Sequence, residues 1–208
     1  MLSNESAYNG EPRTLRSSEG NTVGSLTEAQ RSIIVGCLLG DGAMRCKANA
    51  LLEVNHASAQ KDYVDWKYRQ LENLCGTPPK IRRGNGRRIA YRFTTLSLPQ
   101  LTVLYREFYR GRRKVVPKSL ILAPLTLAVW FMDDGCRTHQ ALYLNTQEFD
   151  LGSQRRLIEM LRRQWGVVST LNRDKRYFRM RIAVSSVGTF KEAMEPHLLQ
   201  QFSYKLPW

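Results

Sequence analysis

Asp41 and Asp134 are the residues whose placement invites chemistry. Each is the last acid of an Asp-Gly pair, and each closes a nearly unbroken apolar run. The runs are Ile34-Val35-Gly36-Cys37-Leu38-Leu39-Gly40-Asp41-Gly42 and Leu127-Ala128-Val129-Trp130-Phe131-Met132-Asp133-Asp134-Gly135. A helix that is apolar all round must be buried. Its last turn carries the negative end of the helix dipole, so a carboxylate there costs about 0.3–1 kcal/mol. A single Asp-Gly is an ordinary helix stop with a capping turn; two at equivalent places call for a compensating cation. If the runs pack side by side in the same direction, with Gly36, Gly40 and Ala128 as the small contact residues, both carboxylates emerge at one point. Carboxylates that close repel unless a cation lies between them. Oxygen donors with no Cys/His cluster favour Mg²⁺, with Mn²⁺ able to substitute. Beside a basic surface, such an ion suits phosphodiester hydrolysis, because it stabilises the leaving oxygen and lowers the pKa of the attacking water. Asp133 has no partner carboxylate in the first run, where Gly40 stands. Both are placed next to the metal, Gly40 through its backbone and Asp133 as a structural or supporting group.

The composition fits that chemistry. The 208 residues carry a net charge of +14, with a pI near 10.0, and the basic residues are mostly arginine. Arginine suits bidentate contacts to phosphate and to guanine edges, so the partner expected is a polyanion. An apolar content of 42% indicates a globular protein with a real core, as one large domain or two small ones. The four cysteines show no CxxC spacing and there are only three histidines, which argues against zinc. A reducing, intracellular setting follows, either an organelle matrix or a bacterial or archaeal cytoplasm. No apolar stretch reaches the ~18 residues of a membrane span. Glu5, Glu11 and Glu19 interrupt a polar N-terminal segment that reads as a tail rather than a leader peptide.

The elements that must position the two acids repeat. Thr27-Glu28-Ala29-Gln30 fits a capping box that starts the first buried helix. Two short strands follow (43–46 and 51–56), then a helix over 60–74 and a hairpin turning at Gly84-Asn85-Gly86. A helix over 99–109 ends the unit, and a basic linker begins at Arg110-Gly111-Arg112-Arg113-Lys114. Pro124 opens the second buried helix. Strands around 137–139 and 141–146 come next, then a helix over 151–164. A hairpin turning at 172–175 and a helix over 187–200 complete the chain. Ile89, Tyr91 and Phe93 alternate with Arg88, Arg92 and Thr94; Phe178, Met180 and Ile182 alternate with Arg179 and Arg181. Glu53-Val54-Asn55 and Tyr143-Leu144-Asn145, like Asp41 and Asp134 or Lys114 and Lys205, keep order at an offset of about ninety residues. The chain is therefore two copies of an αββαββα unit.

The paired Asp-Gly runs resemble the signature of the LAGLIDADG homing endonucleases, in the single-chain form with two motif copies. More specific are Trp130-Phe131-Met132-Asp133-Asp134-Gly135, Leu144-Asn145-Thr146-Gln147 and Tyr204-Lys205-Leu206-Pro207, which are similar to intron-encoded members of that family. The resemblance spans about 27–208. The departures are Val129, where the motif has a small residue, and Gly40, where it often has alanine.

The resemblance implies an α+β fold of two pseudo-symmetric αββαββα half-domains (25–109 and 124–208). They are joined by the linker 110–123 and preceded by the tail 1–24. Each half would carry a four-stranded antiparallel sheet, the two forming a saddle over DNA. It implies that Asp41 and Asp134 bind the metals, and that Lys114 and Lys205 lie near the scissile phosphates. It also assigns Arg45, Lys47, Arg82, Arg87, Arg88, Arg92, Thr94, Asn145, Arg173, Lys175, Arg179 and Arg181 to bases and phosphates. The expected activity is a double-strand break in a long asymmetric target, cut across the minor groove to leave short 3′ overhangs, by a monomer. Two other readings stand beside it. One is a maturase that binds its own intron RNA. The other is a DNA-binding regulator, which would need an added domain that residues 1–24 leave no room for.

Overall fold

The computed structural model describes residues 25–84, 89–138 and 141–206. Helix α1 (Glu28–Leu39) opens with the expected capping box. The Thr27 side chain accepts from the Gln30 N–H, and the Gln30 side chain accepts from the Thr27 N–H. Strands β1 (Ala43–Cys46) and β2 (Ala50–Ala57), helix α2 (Lys61–Leu71), strands β3 (Lys80–Arg83) and β4 (Ile89–Thr94) and helix α3 (Pro99–Phe108) follow. After a two-residue pair, β5 (Tyr109–Arg110) and β6 (Arg113–Lys114), the order starts again. It runs α4 (Pro124–Asp134), β7 (Gly135–Arg137), β8 (Leu142–Leu144), α5 (Leu151–Trp165), β9 (Ser169–Asp174), β10 (Tyr177–Ile182) and α6 (Val187–Met194). The sheets have matching antiparallel orders, β1-β2-β4-β3 and β7-β8-β10-β9. The α+β fold with two αββαββα units is therefore present.

Three segments differ locally from the expectation. Arg110–Lys114 is a tight hairpin rather than a plain linker, made possible by Gly111 at φ 62°. The second long hairpin turns at Lys175-Arg176, later than expected. Lys175 takes the left-handed conformation (φ 54°), so Asn172 stays in β9 opposite Arg179. Helix α6 stops at Met194, because Pro196 has no N–H with which to continue the helical hydrogen bonding, and Glu195–His197 tightens to a 3₁₀ turn.

Helices α2 and α3 cover one face of the first sheet, and α5 covers part of the second. Between these layers α1 packs along α4. Ile33–Leu39 and Thr126–Met132 are buried throughout, and the Thr126 hydroxyl donates to the Ser32 carbonyl across the contact. The close approach is one-sided. A Cβ on Gly36 would lie 2.6 Å from the Val129 Cβ, and one on Gly40 would lie 2.8 Å from Asp133 Oδ2. Gly36 of α1 and its C-cap Gly40 thus supply small residues at the contact as the sequence suggested, and Val129 is accommodated because Gly36 lacks a side chain.

Gly36→Ala is therefore expected to destabilise the fold by about 1–3 kcal/mol, the usual cost of overpacking. Adding Val129→Ala should restore part of that loss. Chemical denaturation of the two variants beside wild type measures both effects.

Candidate active site

Both acids reach one place by the same local route. In the first half α1 ends at Leu39. The Gly40 N–H bonds back to Gly36 and Cys37, and the Gly42 N–H bonds to Cys37 at 2.7 Å, leaving Asp41 projecting from the turn. In the second, Asp134 is the last residue of α4, and Gly135 starts β7 in extended conformation. Asp41 and Asp134 line one cleft of about 340 Å³, together with Gly40, Lys114, Asn145, Gln147 and Glu148. Burial, then the Asp41, Asp133 and Glu148 carboxylates, push Asp134 up to about 8. Asp41 is also raised, by burial and then by Asp133. Two carboxylates held on one cleft against burial and mutual repulsion are an oxygen donor set that a divalent cation would relieve.

A lysine stands at each motif. Lys114 Nζ donates to the Gly40 and Gly42 carbonyls (3.1 and 2.9 Å) and pairs with Glu148 Oε1 at 2.7 Å. Lys205 Nζ donates to the Met132 and Asp133 carbonyls (2.6 and 3.3 Å). Burial lowers the Lys205 pKa, and the carboxylates of Asp133, Asp134 and Asp41 work against that. Each lysine therefore sits on the carbonyls that end its own motif, one beside Asp41 and the other beside Asp134. The Gly40 carbonyl proposed for the metal is occupied by Lys114 here.

Asp133 points away from this cleft and into the first half. Its side chain is fully buried, with Oδ1 accepting from the Tyr63 hydroxyl and from Lys67 Nζ, both at 2.7 Å. Oδ2 accepts from the Asp41 N–H at 3.3 Å. Lys67, itself fully buried, also lies 3.1 Å from His56 Nε2, and His56 Nδ1 lies 3.5 Å from Asp41 Oδ2. Ligand-type atoms of Asp41, His56 and Asp133 fall within 4.8 Å of one another. That trio is a poor metal cage, because Lys67 already supplies a positive charge to two of its members. Burial works against the Lys67 charge, but Asp133 and the thiol and carboxylate beyond it outweigh this and raise its pKa. Burial, then Lys67, lowers His56 to about 4, so the ring is neutral.

The sheet faces turned from the helices carry most of the remaining candidates. Register places Arg45, Arg92, Thr94 and Arg82 on one side of the first sheet, with Lys80, Glu53 and Asn55. Glu53 bridges Arg45 (2.6 Å) and Arg92 (3.7 Å). Arg179 and Arg181 share a face with Tyr143, Asn172 and Thr170. The Arg179 guanidinium lies 4.0 Å from the Tyr143 ring centroid, and the Nε of each arginine finds no partner among the described residues. Asn145 lies beyond β8 at the cleft; Lys47 and Lys175 are exposed in turns. Arg173 pairs opposite Phe178, on the other side of its sheet from Arg179, with its Nε on the Lys175 carbonyl. Arg87 and Arg88 lie outside the described residues.

The sequence profile of the LAGLIDADG DNA endonuclease family matches residues 31–190. The chain belongs to that family. It is 29% identical over 209 residues to the DNA endonuclease I-ChuI of Chlamydomonas applanata, covering 88% of this chain and 96% of that one. It is 27% identical over 213 residues to the cytochrome b mRNA maturase bI2 of Saccharomyces cerevisiae, covering 89% of this chain but only 49% of the maturase. The chain thus spans about half of the maturase's length. Among solved structures, the homing endonuclease I-WcaI bound to its DNA recognition sequence superposes with a TM-score of 0.81 at 22% identity, over 89% of this chain and 88% of that one. I-DmoI in complex with DNA and Mn superposes at 0.56 with 14% identity, covering 80% and 96%. These likenesses share the two-motif LAGLIDADG fold.

Within the LAGLIDADG site, sequence reasoning missed Lys67, His56, Tyr63 and Glu148. One signal was available: Lys67 falls four residues after Tyr63 and four before Leu71, on the buried stripe of α2. Glu148 carries no such signal; only the folded chain brings it to Lys114.

The raised Asp134 pKa sets a pH dependence. A carboxyl that titrates near 8 when folded and near 3.8 when unfolded favours the fold most at low pH, and that contribution is lost as pH rises through about 8. Metal-free protein should lose melting temperature from about pH 5 to 8.5. The slope should flatten in Asp134→Asn and when Mg²⁺ or Mn²⁺ is added, as read by thermal denaturation across pH.

Proposed function

We propose that this LAGLIDADG protein is a site-specific, divalent-metal-dependent endonuclease. Acting as a monomer with internal pseudo-two-fold symmetry, it breaks both strands of a long asymmetric DNA duplex. The observation that carries this reading is the convergence of Asp41 and Asp134 on one cleft, with one lysine at each motif. The fit of the donor set to a hard cation supports Mg²⁺, with Mn²⁺ as a substitute. Bound there, the ion would supply a water of lowered pKa and a counter-charge for the leaving oxygen.

The protein's own groups then have separate tasks. Asp41 and Asp134 hold the metal. Lys114 and Lys205 are fixed by carbonyls, so their ammonium charges are already aimed when a phosphate arrives and cost no reorganisation as negative charge develops. Glu148 occupies Lys114 in the absence of DNA and must yield to the phosphate. The arginines of the two sheet faces set the duplex in register: contacts to phosphate supply affinity and salt dependence, and contacts to base edges supply choice of sequence. Because Arg45 and Arg82 of the first sheet and Arg181 of the second have no arginine at the matching register position, the preferred target is asymmetric.

The alternative, binding of intron RNA, draws on the maturase relatives of Saccharomyces cerevisiae and Debaryomyces hansenii. RNA binding alone would need neither aspartate nor the two placed lysines, and all four are present. The nuclease reading therefore stands first.

A library of long random and rRNA-gene duplexes incubated with Mg²⁺ tests it, beside Asp41→Asn and Asp134→Asn. Wild type should cut a sequence that it binds tightly. Each variant should keep binding and cut more than about 100-fold slower, which is ~2.7 kcal/mol in the barrier. Tight binding with no cutting by wild type in Mg²⁺ or Mn²⁺ would refute the proposal. Arg179→Ala and Arg181→Ala should either lower the salt slope by about one unit or relax specificity at one position at a cost of about 1–3 kcal/mol.

A further inference from the structure

The buried charges around Lys67 have no counterpart at the matching positions of the other half of the molecule. The repeat offset of about ninety residues carries the buried positions Tyr63, Val64, Lys67 and Leu71 of α2 onto Ser153, Gln154, Leu157 and Leu161 of α5, all buried. The same offset carries His56 onto Thr146, and the two motifs align Gly40 with Asp133. In the second half the counterpart of Lys67 is thus the fully buried Leu157, the counterpart of Asp133 is a glycine, and the counterpart of His56 is a threonine. The Thr146 hydroxyl has no partner among the described residues. Three polar substitutions at pseudo-equivalent places occur together, and all serve one side.

That side is Asp41. A lysine ammonium has only hydrogens to offer, so Lys67 donates to Asp133 Oδ1 and to His56 Nε2. With Nε2 acting as acceptor, the neutral His56 ring carries its proton on Nδ1, which faces Asp41 Oδ2 at 3.5 Å. Asp133 takes the other end of the same residue, accepting from the Asp41 N–H at 3.3 Å. Lys67, Asp133, Asp41 and His56 therefore close a ring, with Lys67 at the buried end and Asp41 at the cleft. Asp134, the opposite acid, has no such ring among the described residues; its backbone carbonyl accepts from the Asn145 N–H.

We propose that Lys67 is a positioning residue for the first half's metal-binding aspartate. It holds Asp133 and His56 so that they fix the Asp41 backbone and carboxylate, and because the second half has no counterpart, the two strands of the target are cut with unequal dependence on this support. The proposal rests on the endonuclease reading of the Asp41–Asp134 cleft. Lys67 also keeps the Asp133 carboxylate turned inward, so the cleft presents Asp41 and Asp134 rather than three neighbouring acids. A buried ion pair is a weak source of stability, and an apolar pair of similar volume often replaces one without loss. This makes positioning separable from folding.

The test uses the full chain and the duplex that it binds most tightly in the library selection. Lys67→Met leaves Asp133 buried without its cation and is expected to destabilise. Lys67→Met/Asp133→Leu replaces the pair with packed apolar groups. His56→Leu removes the contact to the Asp41 carboxylate and one acceptor of Lys67, leaving the Lys67–Asp133 pair in place. The readouts are melting temperature, DNA affinity, Mn²⁺ binding followed by electron paramagnetic resonance, and the nicking rate of each strand. The double variant should melt near wild type and bind DNA equally well. Its Mn²⁺ affinity should fall about 10-fold or more, and the ratio of the two strand rates should move by a similar factor, the usual effect of losing a metal ligand's supporting bonds. His56→Leu should move both quantities in the same direction by less. A loss of folded protein slows both strands equally and leaves the ratio unchanged. Wild-type Mn²⁺ affinity and an unchanged strand ratio in folded His56→Leu, or in the folded double variant, would overturn the proposal. Wild type that binds the duplex and cuts neither strand would instead overturn the endonuclease reading.

Discussion

Two missing side chains set the geometry on which the rest depends. Gly36 and Gly40 let α1 lie against α4 closer than any Cβ would allow, and this contact joins the two halves. At Gly36 the space is filled by Val129, an ordinary apolar exchange. At Gly40 it is filled by the Asp133 side chain, which passes beneath the turn that carries Asp41 and ends on Tyr63 and Lys67 of the opposite half. A close-packed core has no slack for a different crossing. The same contact therefore fixes where Asp41 and Asp134 emerge and which half receives the buried acid.

The site is built from groups held against their electrostatic preference. Asp134 is buried beside other carboxylates, and Lys205 is drawn down by burial onto the carbonyls of Met132 and Asp133. Such an arrangement persists because the packing around it overdetermines it, and it relaxes when the missing charges arrive. In the proposed reaction a cation would satisfy the acids and a phosphate the lysines. The net charge of +14 and the arginine-bearing sheet faces provide the wider field that brings a polyanion to this point. In the proposed complex, Glu148 would release Lys114 to the nucleic acid.

The two units repeat in topology and differ in chemistry. Strand orders match, and the buried positions of α2 and α5 align. Yet Lys67 answers to Leu157 and His56 to Thr146. Two halves that share a scaffold but not their interior polar groups have different means of supporting the two acids of the cleft, and their outer faces carry different arginines.

The amino-acid sequence by itself determined the pattern that local physics controls. The capping box at Thr27–Gln30, the buried runs ended by Asp-Gly, the alternation around Tyr91 and Met180 and the offset of about ninety residues each depend on neighbours in the chain, so each could be read directly. The αββαββα units and the two acids and two lysines followed from them, with the family resemblance supplying the roles. Turn details were less legible, since whether Lys175 adopts a positive φ depends on the register that β9 and β10 settle into. Tertiary structure alone decided that Gly36 meets Val129 and Gly40 meets Asp133, where Asp133 points, that Arg173 lies on the other side of its sheet from Arg179, and that Glu148 meets Lys114. Each of these depends on partners distant in sequence. A buried lysine such as Lys67 shows its meaning only once the acid it neutralises, sixty-six residues on, has been brought against it.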